Sequence, residues 1–126
     1  MKKIILSSAF ILGTFILSKA QELKITNYEN NTIEYGNVSK GADGKRIITV
    51  QNIGDKPLVI SSISTSCGCT VPKWTEDPIA PGATGEITVT YNTANLGSFH
   101  KTITVNSNDV NNPSLAVKVQ GTVISD

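Results

Sequence analysis

The chain has 126 residues, with 11 Lys and Arg against 10 Asp and Glu, two cysteines and one histidine. This length suits one ordinary domain. The near-neutral charge without basic clusters argues against nucleic acid and against an anionic membrane surface as partners. Two cysteines allow at most one disulfide, so a disulfide framework is also excluded.

The first 20 residues have the three parts of an export signal. A basic start, Lys2-Lys3, is followed by an apolar run of 14 residues, Ile4–Leu17, and by a small-x-small cleavage site, Ser18-Lys19-Ala20. The run is shorter than the ~20 residues of a spanning helix, so we expect cleavage and no membrane span afterwards. The prediction is a signal peptide over residues 1–20 and one domain over residues 21–126, with 8 basic and 10 acidic residues and a net charge of −2. We therefore expect an exported protein, periplasmic or extracellular.

Period-two alternation of apolar and polar residues, typical of half-buried β-strands, runs through the rest of the chain. Its earlier and less regular segments are Thr32–Val38, Arg46–Asn52 and Pro57–Thr65. The polar stretch Asn52–Pro57 predicts a tight turn between two of these strands, with Gly54 able to take positive φ.

The later segments alternate more clearly. Ile87, Val89 and Tyr91 share one face of a strand over Glu86–Asn92. Two further strands carry apolar faces made of Phe99, Ile103 and Val105 in one, and of Leu115, Val117, Val119 and Val123 in the other. Gly121 interrupts the last row, which predicts a bulge or a close approach.

About seven strands at spacings of about 8–12 residues are typical of a sandwich or barrel. No strand alternates with a helical stretch of about 10–15 residues, which disfavours a parallel α/β sheet. We therefore predict an all-β fold, an immunoglobulin-like antiparallel β-sandwich with an aliphatic core.

The segment Cys67-Gly68-Cys69 is the unusual constellation of the sequence, and it lies where a predicted strand ends. Gly68 allows the backbone to fold and bring the two sulfurs together. Three interpretations follow: a structural pair (a short disulfide or two packed thiols), a thiol–disulfide exchange site, or a soft-metal site. No helix start is evident beside the pair, and the nearest basic residue in sequence is Lys73, which disfavours an activated thiolate.

His100 and Trp74 are the other residues that could carry chemistry. His100 is predicted on the polar face of its strand, exposed to solvent, without the further ligands of a closed zinc site or the partners of a general base. Trp74 follows the cysteines, and core packing is its simpler interpretation. A ligand platform is the alternative, because Trp is enriched at binding hot spots. We predict no catalytic residues, no metal site and no cofactor, with Trp74 as the candidate binding-surface residue.

Several motifs, taken in order, resemble one family. They are Asn52–Ile60, Ser66–Thr70, Ile79–Gly82, Gly85–Ile87, Gly97–Lys101, Val105–Asn108 and Gly121–Val123. Together they resemble the exported bacterial family catalogued as "domain of unknown function 1573", over residues 30–124. The resemblance implies an immunoglobulin-like sandwich of the sperm-protein and hydin-associated kind. It also implies that the Cys-x-Cys turn belongs to the design of the domain, and it implies no activity.

The leading hypothesis is a non-enzymatic, exported interaction module whose partner is another exported protein or a cell-envelope component. Recognition would use end loops or an exposed sheet edge, where a partner strand adds main-chain hydrogen bonds. The loops after Thr65 and after Trp74 are the candidate contact surface. The alternatives are a thiol–disulfide redox factor working through Cys67 and Cys69, and a copper or zinc carrier.

Overall fold

Alternating apolar and polar residues form eight strands in the computed structural model, which describes residues 20–66 and 68–125. In chain order the strands are β1 (Leu23–Ile25), β2 (Thr32–Ser39), β3 (Lys45–Asn52), β4 (Ile60–Thr65), β5 (Cys69–Trp74), β6 (Thr84–Tyr91), β7 (Gly97–Ser107) and β8 (Ser114–Ile124). A 3-10 turn over Glu29–Asn31 is the one helical element of the described residues.

The strands make two four-stranded sheets that face each other. The first has the order β1-β3-β6-β5, and the second has the order β2-β8-β7-β4. Consecutive strands β1 and β2 belong to different sheets, and so do β4 and β5. The sandwich therefore has two open sides, one bordered by β1 and β2 and the other by β4 and β5.

The structure confirms the predicted all-β, immunoglobulin-like sandwich and corrects three of its details. β1 and β5 were not among the predicted strands: β1 has three residues, and β5 contains Pro72 and an irregular stretch, so neither shows an alternation. Pairing is antiparallel except between β2 and β8, which run parallel because the chain crosses from β1 to β2 without reversing its direction. The strand predicted over Pro57–Thr65 begins only at Ile60, and Leu58 forms an isolated bridge with Ile79.

The predicted inward faces are largely buried; the exceptions are Leu115, which is only partly buried, and Thr88 on the opposite face, which is buried. The core residues that are completely inaccessible to solvent are Ile33, Ile48, Val50, Leu58, Ile87, Val89, Ile103 and Val119. A Cβ on Gly121 would lie 2.8 Å from Tyr35 Cβ and 3.0 Å from Phe99 Cζ. The prediction of a close approach is thus confirmed, and β2 is irregular at the same place, between Glu34 and Asn37.

The turn after β3 forms for a different reason from the one predicted. Gly54 does not take positive φ; glycine is needed there because a Cβ would overlap the carbonyl oxygen of Ala20. The fully buried side chain of Asn52 organises the turn. Its Oδ1 accepts from Gly54 N (3.0 Å), and its Nδ2 donates to Lys56 O (2.6 Å) and Ile79 O (2.9 Å).

Candidate functional site

The turn between β4 and β5 carries the cysteine motif. Gly68 has a φ of +96°, which confirms that it folds the backbone here. The turn is fixed by a hydrogen bond from Cys69 N to Ser66 O (3.3 Å) and by another from Asn92 N to Gly68 O (2.9 Å). Cys67 lies outside the described residues. No disulfide of Cys69 is seen, and the other predicted roles of the pair (two packed thiols, an exchange site or a soft-metal site) remain predictions.

Cys69 is a free thiol, only 5% exposed, at the start of β5 opposite Tyr91. Burial raises the pKa of the Cys69 thiol, and Lys101 lowers it by a smaller amount. The thiol is therefore protonated at neutral pH and is less nucleophilic than an exposed cysteine. Sequence reasoning missed Lys101, because the fold brings it to this turn from β7, far along the chain.

Three aromatic rings fill the end of the core next to Cys69. Tyr91 and Phe99 stack with ring centroids 3.8 Å apart, and Tyr35 meets both edge-on. The Tyr35 hydroxyl donates to Gly44 O (2.6 Å), and the Arg46 guanidinium lies 4.3 Å from the Tyr35 ring centre. Burial raises the pKa of Tyr35 to about 12. This end of the sandwich is thus closed by packed rings.

Trp74 packs as its simpler interpretation predicts, and its role as a binding-surface residue stays a prediction. It is half-buried and packs against the core, and its Nε1 donates to Ile60 O at the start of β4 (3.3 Å). Its other side lines a shallow depression of about 230 Å³ with Lys73 and Glu86 among its neighbours. Trp74 therefore spans the gap between β5 and β4 and leaves part of its ring available to a partner.

His100 is exposed on the outer face of the second sheet, as predicted. Lys101, Lys118 and Gln120 share a shallow depression of about 270 Å³ with it. Across residues 20–66 and 68–125, no group of three or more His, Cys, Asp or Glu is arranged to hold a metal ion. In the same part of the chain, no helix is long and apolar enough to cross a membrane.

The outer edge of β4 leaves part of its main chain unpaired in the described structure. Ser66 donates its backbone N–H to β7 at 3.1 Å, at the end of the β4–β7 ladder. Hydrogen bonding alternates along an antiparallel pair, so Ser62 and Ser64 also direct their main-chain groups toward β7, whereas Ile63 and Thr65 direct theirs away. Within the described residues, these outward N–H and C=O groups have no hydrogen-bond partner.

β4 has one irregularity, between Ile60 and Ser62, but beyond it the strand lacks the other usual defences of an edge. Charged side chains and prolines normally protect such edges from pairing with another chain. The chain has no charged residue between Lys56 and Lys73, and β4 contains no proline. We call this part of β4 the open edge. It consists of the outward main-chain groups of Ile63 and Thr65 together with the neighbouring Ser62 and Ser64.

The other three edges carry defences. On β5, Pro72 lacks an N–H and lies in an irregular stretch between Thr70 and Lys73. On β2, the irregularity between Glu34 and Asn37 breaks the ladder. These devices discourage a further strand from pairing with either edge.

β1 has only three residues, and the side chain of Asn27 pairs with β3 beyond its end. Where β1 leaves the first sheet, the Asn27 amide donates to Ile47 O (2.9 Å) and accepts from Thr49 N (2.9 Å), as a strand would. The main chain of β3 is therefore covered beyond the end of β1. β4 differs along its length: Trp74 covers Ile60 O and the ladder is irregular between Ile60 and Ser62, whereas from Ser62 to Thr65 the described edge is regular, uncharged and uncovered.

Two facing sheets, with the consecutive strands β1 and β2 in different sheets, define this protein as an immunoglobulin-like β-sandwich. Residues 26–123 match the family described as "Protein of unknown function (DUF1573)", and the chain belongs to that family. The resemblance inferred from its motifs is thereby confirmed. No curated protein matches the chain.

Solved structures support the same fold. A protein of unknown function from Porphyromonas gingivalis W83 is similar with a TM-score of 0.67 and 20% identity, over 84% of this chain and 47% of that one. The chain thus spans about half the length of that relative.

The human CEP192 ASH/PapD-like domain 7 is similar with a TM-score of 0.63 and 11% identity, over 86% of this chain and 88% of that one. The VesB protease of Vibrio cholerae reaches a TM-score of 0.62 at 9% identity, over 82% of this chain and 32% of the protease. At these identities the likeness establishes the fold alone.

Proposed function

We propose that the protein is an exported, non-enzymatic interaction module that binds an extended strand of another exported protein or cell-envelope component at the open edge. The observation that carries this proposal is the pair of outward residues, Ile63 and Thr65, whose stretch of the edge has no charge and no proline and lies beyond the part that Trp74 covers. A strand that adds to such an edge gains main-chain hydrogen bonds at once. Export is proposed from the basic start and apolar run of residues 1–20.

The energetics favour a modest, reversible contact. Two outward residues can exchange about four main-chain hydrogen bonds with a partner, and each contributes about 0.5–1.5 kcal/mol net, or about 2–6 kcal/mol together. Ordering the partner strand offsets part of this gain. Side-chain contacts must supply the rest, and the half-buried Trp74 beside Ile60 is the nearest aromatic anchor.

A proline substitution tests the proposal without disturbing the β4–β7 ladder. The N–H of Thr65 points outward, so Thr65→Pro removes a donor used only by a partner and blocks its approach. Thr65→Ala is the matched control, because both variants lose the hydrogen bond from Thr65 Oγ1 to Cys69 O (3.1 Å). Thermal unfolding of both variants checks that the fold is kept.

The readout is retention of envelope proteins on the immobilised chain. We expect the same bound protein with wild type and Thr65→Ala, and a loss of at least tenfold with Thr65→Pro. Retention that is equal for all three proteins contradicts strand addition at this edge.

The thiol–disulfide factor is the second candidate, and Lys101 next to Cys69 is the observation in its favour, since it lowers the thiol pKa. Burial has the larger and opposite effect, which is why we place this function second. It predicts trapped mixed disulfides when either Cys67 or Cys69 is replaced by Ser. If these variants change thermal stability alone, the redox function is refuted.

A further inference from the structure

We infer that the open edge pairs with a second copy of this chain, β4 against β4, around a two-fold axis at Ser64. This inference rests on the proposed function, because both use the outward main chain of Ile63 and Thr65. It names one occupant for an edge that any extended strand of suitable chemistry would fit.

The register follows from the direction of the main-chain groups. With the axis at Ser64, Ile63 of each copy lies opposite Thr65 of the other. Each such pair exchanges both N–H···O bonds, so all outward groups of the two residues are satisfied. An axis at Ile63 would instead bring Thr65 opposite Ser61, in the stretch where β4 is irregular, and would lose regular bonds.

The sequence of the edge is self-complementary about the same point. Reading outward from Ser64, the chain has Ile63 and Thr65, then Ser62 and Ser66. In the paired form Ser62 of each copy lies opposite Ser66 of the other. The hydroxyls of both residues stay bonded to β7, where Ser66 Oγ donates to Thr102 O (3.1 Å) and Ser62 Oγ accepts from Asn106 Nδ2 (3.1 Å). Isologous contacts require such self-matching, and a charge near the axis would repel its own copy.

Ser64 faces its own copy directly. Side chains opposite each other in a pair that is not hydrogen-bonded have Cβ atoms about 4.5–5.5 Å apart. Pairing would join the two second sheets into one continuous sheet across the axis. The contact is small, so association is weak, and a partner strand that uses the same groups would displace the second copy.

A charge swap at Ser64 tests the inference on the protein recovered after export. Ser64 is exposed, so Ser64→Lys and Ser64→Glu should both fold. Thr104, its register partner on β7, is the matched control. In the pair the two copies of position 104 lie three strand spacings apart, about 14 Å, which is beyond the screening length of about 10 Å at 0.1 M salt.

Sedimentation across a concentration range up to about 1 mM, where small interfaces begin to associate, provides the readout. We expect wild type to self-associate, Ser64→Lys to do so at least tenfold more weakly, and an equimolar mixture of Ser64→Lys and Ser64→Glu to recover association. Thr104→Lys should change it less than twofold. A wild type that stays monomeric, or association that survives Ser64→Lys, overturns the inference.

The failures of the two proposals are distinguishable. Wild type could stay monomeric while Thr65→Pro abolishes retention of the partner protein. That result supports the proposed function and refutes the pairing of two copies. The opposite result refutes the proposed function and supports the pairing. In that case self-association is lost in Ser64→Lys and restored by mixing with Ser64→Glu, while Thr65→Pro retains envelope proteins as well as wild type does.

Discussion

Two neighbouring stretches of main chain, one just before β4 and one within it, differ in how their unpaired groups are covered. Before β4, the Asn108 side chain accepts from Val59 N (2.9 Å) and donates to Pro57 O (3.2 Å), so this stretch is covered. A few residues later, the outward groups of Ile63 and Thr65 are left uncovered in the described part of the chain. Neighbouring stretches along one edge of the sandwich therefore differ in whether a side chain covers their main chain.

Asparagine is the residue that makes the difference. Its side-chain amide carries both a donor and an acceptor, so it can replace one residue of a missing strand. Asn27 does this along β3, and Asn52 does it inside the turn after β3. Among the described residues, no such amide is bonded to the outward groups of Ile63 and Thr65.

The largest expected effect comes from removing the buried member of this set. Asn52→Ala leaves main-chain partners unsatisfied inside the protein, among them Gly54 N and Ile79 O. We expect the free energy of unfolding to fall by about 3 kcal/mol in urea titrations. A loss below about 1 kcal/mol would mean that the covered backbone is satisfied in another way.

A smaller effect is expected for Tyr35 on β2, whose hydroxyl donates a hydrogen bond to Gly44 O. The folded pKa of Tyr35 is about 12 against an ordinary value of 10.0, so the folded state keeps this proton more tightly than the unfolded state. Its contribution to stability is complete below pH 10 and is lost as the pH rises toward 12. Tyr35→Phe loses the hydrogen bond to Gly44 O and should be less stable at neutral pH by about 1 kcal/mol.

The difference in the free energy of unfolding between wild type and Tyr35→Phe should therefore narrow as the pH rises from 10 toward 12. Unfolding titrations of both proteins at several pH values measure it, with Tyr28→Phe as the control. A gap that stays constant up to pH 12 would contradict the raised pKa.

Asn27→Ala is expected to convert a covered edge into an open one. It removes the amide that serves Ile47 O and Thr49 N, at a cost of about 1 kcal/mol. It also exposes the main chain beside Ile47, a large apolar residue that is already on the surface. We expect self-association to rise in sedimentation experiments, whereas Asn37→Ala, exposed on β2, should leave it unchanged. If Asn27→Ala self-associates no more than Asn37→Ala, the Asn27 side chain does not protect the edge of β3 from pairing.

Periodicity predicted which side chains face the core, because an alternation of two fixes the face of a strand without any knowledge of its neighbours. Ile87, Val89 and Phe99 are buried for that reason. The order of strands in a sheet leaves no such trace, so the identity of the edge strands became visible only in the structure. The same holds for Lys101 beside Cys69, and for Gly54, whose need for glycine depends on Ala20.

Hydrogen exchange of single amides in dilute solution tests the open edge most directly. We predict fast exchange for the N–H groups of Ile63 and Thr65, and slow exchange for those of Ser64 and Thr49, which β7 and Asn27 cover. Protection of Ile63 and Thr65 equal to that of Ser64, in a chain shown to be monomeric, would contradict the account.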